Sequence, residues 1–385
     1  MSAIYLPRAM RIGAGTLNEL PDALAQLGLR TPAILTDDFM AKSGALDRLL
    51  DVLRGAGIMP RAFTGIVPDP TVTCVDAAVE FVKDGDHDCL IGFGGGSSID
   101  TAKAVAVLAT CGGSMRALKA PHQEDEPRLP IIAIPTTAGT GSEATRVTVI
   151  TDEANDEKML CAGLAYLPTL AIVDYELTLS KPLRLTADTG IDALTHAIEA
   201  YVSRRANPFS DGMAISAMRL IWPNLRRVCE NPGDRAAREA MMTGSLQAGI
   251  AFSNASVALV HGMSRPIGAH FHVAHGLSNA MLLPVVTAWS APGALQRYAD
   301  CARSMGVSVH GEGDQAAVAR LIEALRDVNS DLGVPSPRSY GIDEKHWTEL
   351  LPLMAEQALA SGSPANNPLV PDADTIQALY REAWA

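Results

Sequence analysis

Gly190-Ile191-Asp192-Ala193-Leu194-Thr195-His196-Ala197-Ile198-Glu199-Ala200-Tyr201-Val202-Ser203 is the stretch from which the rest of the chain can be read. Ile191, Leu194, Ile198 and Val202 recur at three- and four-residue steps, the spacing of one apolar stripe on a helix. Asp192 and His196 stand four apart on that helix, with Cβ atoms about 5–6 Å apart and pointing the same way. A carboxylate and an imidazole so placed can hold a divalent metal; the same pair also suits a helix ion pair. Two further imidazoles bear on the choice, His261 in Val260-His261-Gly262 and His275 in Ala274-His275-Gly276. On one continuous helix they would lie about 21 Å apart, too far for one ion. Pro266 and Gly268 stand between them and both interrupt helices, so the chain is expected to fold back there. One Asp and three His then suit a transition metal with open positions.

The chain has 385 residues, long enough for two domains, and 48% are hydrophobic, ample for buried cores. A net charge of −12 argues against nucleic acid or an anionic membrane as partner, because both are polyanions. Cys74, Cys89, Cys111, Cys161, Cys229 and Cys301 are too scattered for a Cys-x-x-Cys motif, as expected of buried thiols in a reducing compartment. The start, Met-Ser-Ala-Ile-Tyr-Leu-Pro-Arg, lacks the apolar core of a signal peptide, and no run of 18 apolar residues occurs. The expectation is a soluble cytoplasmic protein acting on small molecules.

Up to about residue 182, strand-like runs alternate with helical ones. Pro32–Thr36, Pro60–Val67, Cys89–Phe93, Leu129–Ile134, Thr145–Thr151 and Ala171–Asp174 read as strands, and Thr16–Leu27, Leu46–Gly55, Val72–Lys83 and Ile99–Leu108 as helices. This pattern predicts a parallel sheet covered on both faces. After Lys181-Pro182 the strand-like runs end. Helical candidates are Asp188–Ser203, Asp211–Cys229, Asp234–Val260, Gly276–Ala288, Ala294–Met305, Asp314–Leu332, Asp343–Ala360 and Asp372–Ala383. Residues 1–182 and 183–385 are therefore expected to be an α/β domain and an all-α domain.

Two glycine-containing loops interrupt the first half. Gly92-Phe-Gly94-Gly95-Gly96-Ser97-Ser98 follows a strand and opens a helix that Ser97 or Ser98 is expected to cap. Backbone N–H groups there could seat a pyrophosphate, although Gly-x-Gly-x-x-Gly is not matched. The second loop, Thr136 to Ser142, has hydroxyls and glycines that suit a ribose or a nicotinamide amide, and it lacks the Gly-Lys-Ser of a Walker loop. Asp37, at a strand end, can accept from a ribose or stand as a solvated loop carboxylate.

Taken together these segments resemble the iron-dependent, group III alcohol dehydrogenases over nearly the whole chain. The matching pieces are Gly94-Gly-Gly-Ser97 with Asp100 and Lys103, Pro135-Thr-Thr-Ala-Gly-Thr-Gly-Ser-Glu143, Ala171-Ile-Val-Asp174, Gly190–Ser203, His261-Gly-Met263, His275-Gly-Leu-Ser-Asn-Ala-Met-Leu-Leu-Pro284 and Asn367-Pro368. The resemblance implies a Rossmann-like N-terminal domain and a helical C-terminal domain, the architecture of dehydroquinate synthase, with the site in the cleft. It implies metal ligation by Asp192, His196, His261 and His275, and cofactor contacts from Asp37, Asp69, Gly94, Gly95, Gly96, Ser97, Thr136, Thr137, Thr140 and Lys158. Asp69 stands where the family more often has Asn. The implied cofactors are NAD and Fe(II), with zinc second, and the implied assembly is a homodimer or larger homo-oligomer.

One departure concerns the family pattern His-x-Met-x-His, which here reads His261-Gly-Met-Ser-Arg265. An arginine stays protonated and cannot act as a base. His272 is the candidate replacement proton relay, and His270 is expected to be an outward loop residue. The expected chemistry is NAD-linked hydride transfer between nicotinamide and an alcohol or carbonyl polarised by a metal. Arg265 motivates an alternative, reduction of a carboxylated carbonyl such as a semialdehyde or maleylacetate. A more remote alternative is a dehydroquinate synthase-like lyase, and another is a binding protein without turnover.

Overall fold

Short apolar runs separated by helices become a parallel sheet. Among residues 3–385, which the computed structural model describes, the strands are β1 (Ala9–Ile12), β2 (Pro32–Asp37), β3 (Arg61–Ile66), β4 (Cys89–Gly94), β5 (Ile131–Pro135), β6 (Val147–Asp152), β7 (Glu157–Ala162) and β8 (Leu170–Val173). Six of them form one sheet in the order β1-β8-β5-β4-β2-β3, each neighbouring pair parallel. Successive side chains of a strand point to opposite faces. Leu90 of β4 accordingly joins a core with Val75, Val79 and Val105, while Ile91 joins another with Leu20, Leu49 and Ile172. Both faces are covered, which explains the uninterrupted apolar run of β4. Parallel direction also brings the carboxyl ends of β2, β4 and β5 to one edge, so Asp37, Gly94 and Thr136 are neighbours there.

Two expectations need correction in this half. The strand at Thr145–Thr151 does not enter the parallel sheet: β6 pairs antiparallel with β7, with Thr148 opposite Cys161. The four-residue turn Glu153–Asp156 returns the chain at once, whereas a parallel partner needs a crossover of a dozen or more residues. The helix after β4, α1 (Gly96–Cys111), is capped by Gly95 rather than by Ser97 or Ser98, with no side-chain capping bond.

The chain divides into two compact units, Tyr5–Lys181 and, for the most part, Pro182–Ala385. Among the described residues the second unit is helical, with α2 (Leu183–Val202), α3 (Pro208–Glu230), α4 (Arg235–Ala255), α5 (Leu259–Phe271) and α6 (His275–Ser290) leading. The span Asp234–Val260 is not one helix. Ser256 takes φ 68 and ends α4, and the N–H groups of Ala258 and Val260 turn to the Glu199 carboxylate instead. Nor does the chain fold back at Pro266 and Gly268, which lie inside α5. Pro266 has no N–H to offer Gly262 O, and one residue on, Met263 O takes a donor from outside the helix, Tyr380 Oη at 2.6 Å. The reversal comes later, at His272, whose φ of 54 is left-handed. No helix among the described residues is long and apolar enough to cross a membrane.

Candidate metal centre and cofactor loops

Four side chains converge in the helical unit. Asp192 and His196 come from α2, His261 from the first turn of α5 and His275 from the first residue of α6, and one ligand atom of each lies within 4.8 Å of all the others. Asp192 Oδ1 is 3.5 Å from His261 Nε2, 3.9 Å from His275 Nε2 and 4.0 Å from His196 Nε2. The first three residues are buried, while the His275 side chain keeps 35% of its exposure, so the cluster is least enclosed on its side. The other wall is made of stacked rings: Phe252 stacks on the His196 ring at 4.2 Å, and His196 stacks on His261 at 4.4 Å.

Neighbouring residues hold these donors in place. The Glu199 carboxylate accepts from Val260 N at 2.6 Å, Ala258 N at 3.0 Å and His261 Nδ1 at 2.6 Å. A carboxylate is acceptor-only, so Nδ1 carries a proton, and in the neutral ring Nε2 keeps its lone pair. Asn279 Nδ2 donates to Asp192 Oδ1 at 2.6 Å and lies 3.1 Å from His261 Nε2 and 3.3 Å from His275 Nε2. Its Oδ1 is buried without a partner among the described residues. His275 Nδ1 meets Ser264 Oγ at 3.3 Å. Gly276 makes this proximity possible, since a Cβ there would stand 2.5 Å from Asp188 O and push α6 off α2.

The electrostatics favour a cation. Burial by itself pushes the Asp192 carboxyl up, but His196, His275 and His261 together hold it well below the usual carboxylate range. Burial drives the His196 imidazole down to about 3 against the pull of Asp192, leaving it neutral and ligand-ready at pH 7. Lone pairs of the Asp192 carboxylate and of the neutral His196 ring thus point at one small volume, toward which the Asn279 amide also turns its donor. Three imidazoles and one carboxylate fit Fe(II), Zn(II), Mn(II) or Co(II).

The loops of the first unit meet at the sheet edge. Thr136 N donates to Gly94 O at 2.9 Å, and a Cβ on Gly96 would stand 2.9 Å from Thr140 Cγ2, so glycine at 96 lets the two loops touch. Thr137 lies against Gly95, where a Cβ would have room. The Asp37 carboxylate caps the next helix through Met40 N at 2.8 Å, and its Oδ2 reaches the flank of Gly94. Lys158 Nζ, from β7, pairs with Asp69 Oδ1 at 2.8 Å, and Asp69 takes φ 49. Beneath the loops Lys103, fully buried, donates to Ser142 Oγ, Thr145 Oγ1 and Val147 O at 2.8–2.9 Å. Ser142 Oγ in turn donates to Asp100 Oδ1 at 2.5 Å, tying the second loop to α1.

Glu143 beside this network gives a pH prediction. It is 2% exposed, and burial raises its carboxyl to about 7, only partly offset by Lys103. The folded state then binds this proton more tightly than the unfolded state. Its stabilising share is complete below about 4.5 and is lost as pH rises through 7. That share is on the order of 3 kcal/mol. Glu143→Gln keeps a neutral side chain at every pH, so urea denaturation should find the variant gaining on the unmutated protein between pH 5 and 7.5. A constant difference over that range would contradict the assignment.

Arg265 and His272 are placed differently from each other. Arg265 is partly buried, one helical turn after His261, and its Nη1 donates to Ser363 Oγ at 3.1 Å. His272 does not join the cluster; it is exposed at the C-terminal end of α5. His270 is no loop residue: it lies in α5 with Nε2 2.9 Å from Gln357 Oε1. Sequence reasoning passed over Glu199 and Asn279. Both carried a signal, since Glu199 extends the 192–196 spacing by three residues and Asn279 stands four after His275.

Comparison with known proteins agrees over the whole chain. Residues 7–175 match the family described as iron-containing alcohol dehydrogenase, and residues 186–384 match Fe-containing alcohol dehydrogenase family, C-terminal. Long-chain-alcohol dehydrogenase 1 of Geobacillus thermodenitrificans (strain NG80-2) is 40% identical, covering 100% of this chain and 97% of its own. The NAD-dependent methanol dehydrogenase of Bacillus methanolicus is 38% identical, with 100% of both chains covered. A crystal structure of 1,3-propanediol oxidoreductase superposes with a TM-score of 0.95 at 35% identity, again over 100% of both chains.

Proposed function

Because this chain belongs to the iron-containing alcohol dehydrogenase family and is an NAD-dependent alcohol dehydrogenase, we propose that Asp192, His196, His261 and His275 hold one divalent ion at its reaction centre. Membership of that family decides against the lyase reading. The observation that carries the proposal is the convergence of the four donors within 4.8 Å. Fe(II) is the proposed metal, with zinc second. A divalent ion there supplies Lewis acidity, which lowers the pKa of an alcohol and polarises a carbonyl. The chain's own residues do the rest: Glu199 holds the His261 proton on Nδ1, Asn279 orients Asp192, and Phe252 excludes water from the His196 side. Arg265, lowered by burial only to about 10, stays a cation at neutral pH and cannot take the alcohol proton.

The unit Tyr5–Lys181 is proposed to bind the dinucleotide, and Pro182–Ala385 the metal and the substrate. Gly94, Gly95, Gly96 and Ser97 would seat the pyrophosphate on the first turn of α1, where no side chain makes a capping bond, as backbone N–H groups at a helix start favour an anion. Asp37, Asp69, Thr136, Thr137, Thr140 and Lys158 would complete the cofactor contacts. Metal analysis of purified protein, together with an alcohol and aldehyde panel read as NADH, tests the whole reading. Protein that retains no ion and turns over none of the panel would overturn it. A homodimer in the cytoplasm is the proposed setting, and light scattering checks the oligomer.

Asp37 should favour NAD over NADP. A 2′-phosphate 4 Å away would meet repulsion of about 4 kcal/mol per charge pair at an effective dielectric of 20. Asp37→Asn keeps the cap on Met40 N and removes the charge. The NAD/NADP ratio of kcat/KM should fall at least about tenfold. An unmutated enzyme that uses both cofactors equally would remove Asp37 from the ribose site.

A further inference from the structure

Arg265 carries a charge that the fold does not pair. Among the described residues no carboxylate lies within 4.0 Å of it, and its one protein partner is a neutral hydroxyl, Ser363 Oγ. The acid that acts on it electrostatically is Glu199, whose oxygens are already taken by two backbone N–H groups and by His261. Taking a guanidinium part-way out of water without a counter-charge costs several kcal/mol, and folds normally avoid that cost. Arg128 meets Glu124 and Arg297 meets Asp211, whereas the more deeply buried Arg238, remote from the metal cluster in sequence, bonds to the neutral oxygens of Pro232 and Thr186. The unpaired donors of Arg265 are not sealed in, since none of its nitrogens is both fully buried and unpartnered.

The position of this charge gives it a use. Arg265 is four residues after His261, so its side chain leaves α5 on the face that carries the candidate metal ligand. The segment bearing Ser363 is pressed against that helix: a Cβ on Gly262 would stand 2.7 Å from Pro364 Cγ. Ser363 itself is 3% exposed. A rigid hydroxyl thus fixes one edge of the guanidinium and leaves the rest of the fork free, the arrangement that suits bidentate capture of an oxyanion.

We propose that Arg265, steadied by Ser363, is an anion-binding subsite beside the metal centre, and that the carbonyl substrates this enzyme takes best carry a carboxylate at the far end from the reacting carbon. The inference rests on the alcohol dehydrogenase reading and adds the substrate class to it. The carboxylate supplies the missing counter-charge, and the guanidinium fixes the distance between the anion and the carbonyl. A neutral aldehyde of equal length gains neither.

The test compares succinic semialdehyde with butanal, using metal-loaded full-length enzyme and NADH. The unmutated enzyme should prefer the semialdehyde at least about tenfold in kcat/KM, mostly through KM. Arg265→Met should cut that preference by about tenfold or more, and Arg265→Lys should restore part of it. Equal losses on both aldehydes in Arg265→Met would make the residue structural and overturn the subsite. So would an unmutated enzyme that takes butanal as well as the semialdehyde, a result that needs no variant to fold. If the unmutated enzyme reduces neither aldehyde nor any other in the panel, the dehydrogenase reading itself fails, which is a separate outcome.

Discussion

Glu199→Gln should lower metal affinity by about 10- to 100-fold while leaving most of the fold in place. The reason lies in the number of donors that meet this carboxylate. Val260 N points at Oε1, and Ala258 N and His261 Nδ1 point at Oε2. A carboxamide must turn its NH2 toward one of these positions. At the first it faces Val260 N–H, and α5 loses a hydrogen bond at its start. At the second it faces both Ala258 N–H and His261, and the imidazole can restore a hydrogen bond by moving its proton to Nε2. That move removes the lone pair now directed at Asp192 and Asn279. Leaving a buried donor unsatisfied costs about 1–3 kcal/mol in either case, so thermal stability falls as well. Chelator competition gives the dissociation constant for the metal, and Glu199→Asp serves as the control that retains an acceptor-only group. Unchanged metal affinity in Glu199→Gln, whatever happens to stability, would reduce Glu199 to a helix-start anchor.

The second large effect is expected at His261. His261→Ala removes one of four donors from a buried site, and the protein should emerge from purification with little or no bound ion. Its affinity should fall more than about 100-fold, beyond the effect of a supporting residue. Binding of NADH should survive within a few-fold, because Tyr5–Lys181 is a compact unit with its own apolar clusters. NADH fluorescence therefore separates a lost metal site from a lost fold. Full metal occupancy in His261→Ala would remove that residue from the ligand set and with it the proposed centre.

The two experiments also separate two parts of the site. A ligand and the group that orients it both lower affinity when changed, but only the ligand should abolish occupancy at saturating metal. Asn279 belongs with Glu199 in this respect, since it reaches Asp192 through a side-chain amide rather than offering a charged donor of its own.

Much of the architecture was legible from local pattern. The apolar run Cys89–Phe93 ending in glycines announces a buried strand that feeds a loop, because helices covering both faces leave no polar side for that strand. Ile191, Leu194, Ile198 and Val202 announce the helix that carries Asp192 and His196, and a four-residue step on a helix fixes their mutual direction without any other part of the chain. These are short-range facts, set by backbone geometry. What brings His261 and His275 to that pair is long-range, and the sequence pointed to the wrong device. Proline and glycine at 266 and 268 were expected to turn the chain, but α5 absorbs both with help from Tyr380, and a left-handed His272 makes the turn. The decisive partners lie 62 and 87 residues apart in the chain, Glu199 with His261 and Asp192 with Asn279. Helical periodicity can show that Glu199 shares a face with the ligands; only the packing of α5 and α6 on α2 can show what that face meets. The same holds for Arg265, whose charge is plain in the sequence and whose lack of a counter-charge is a property of the tertiary structure alone.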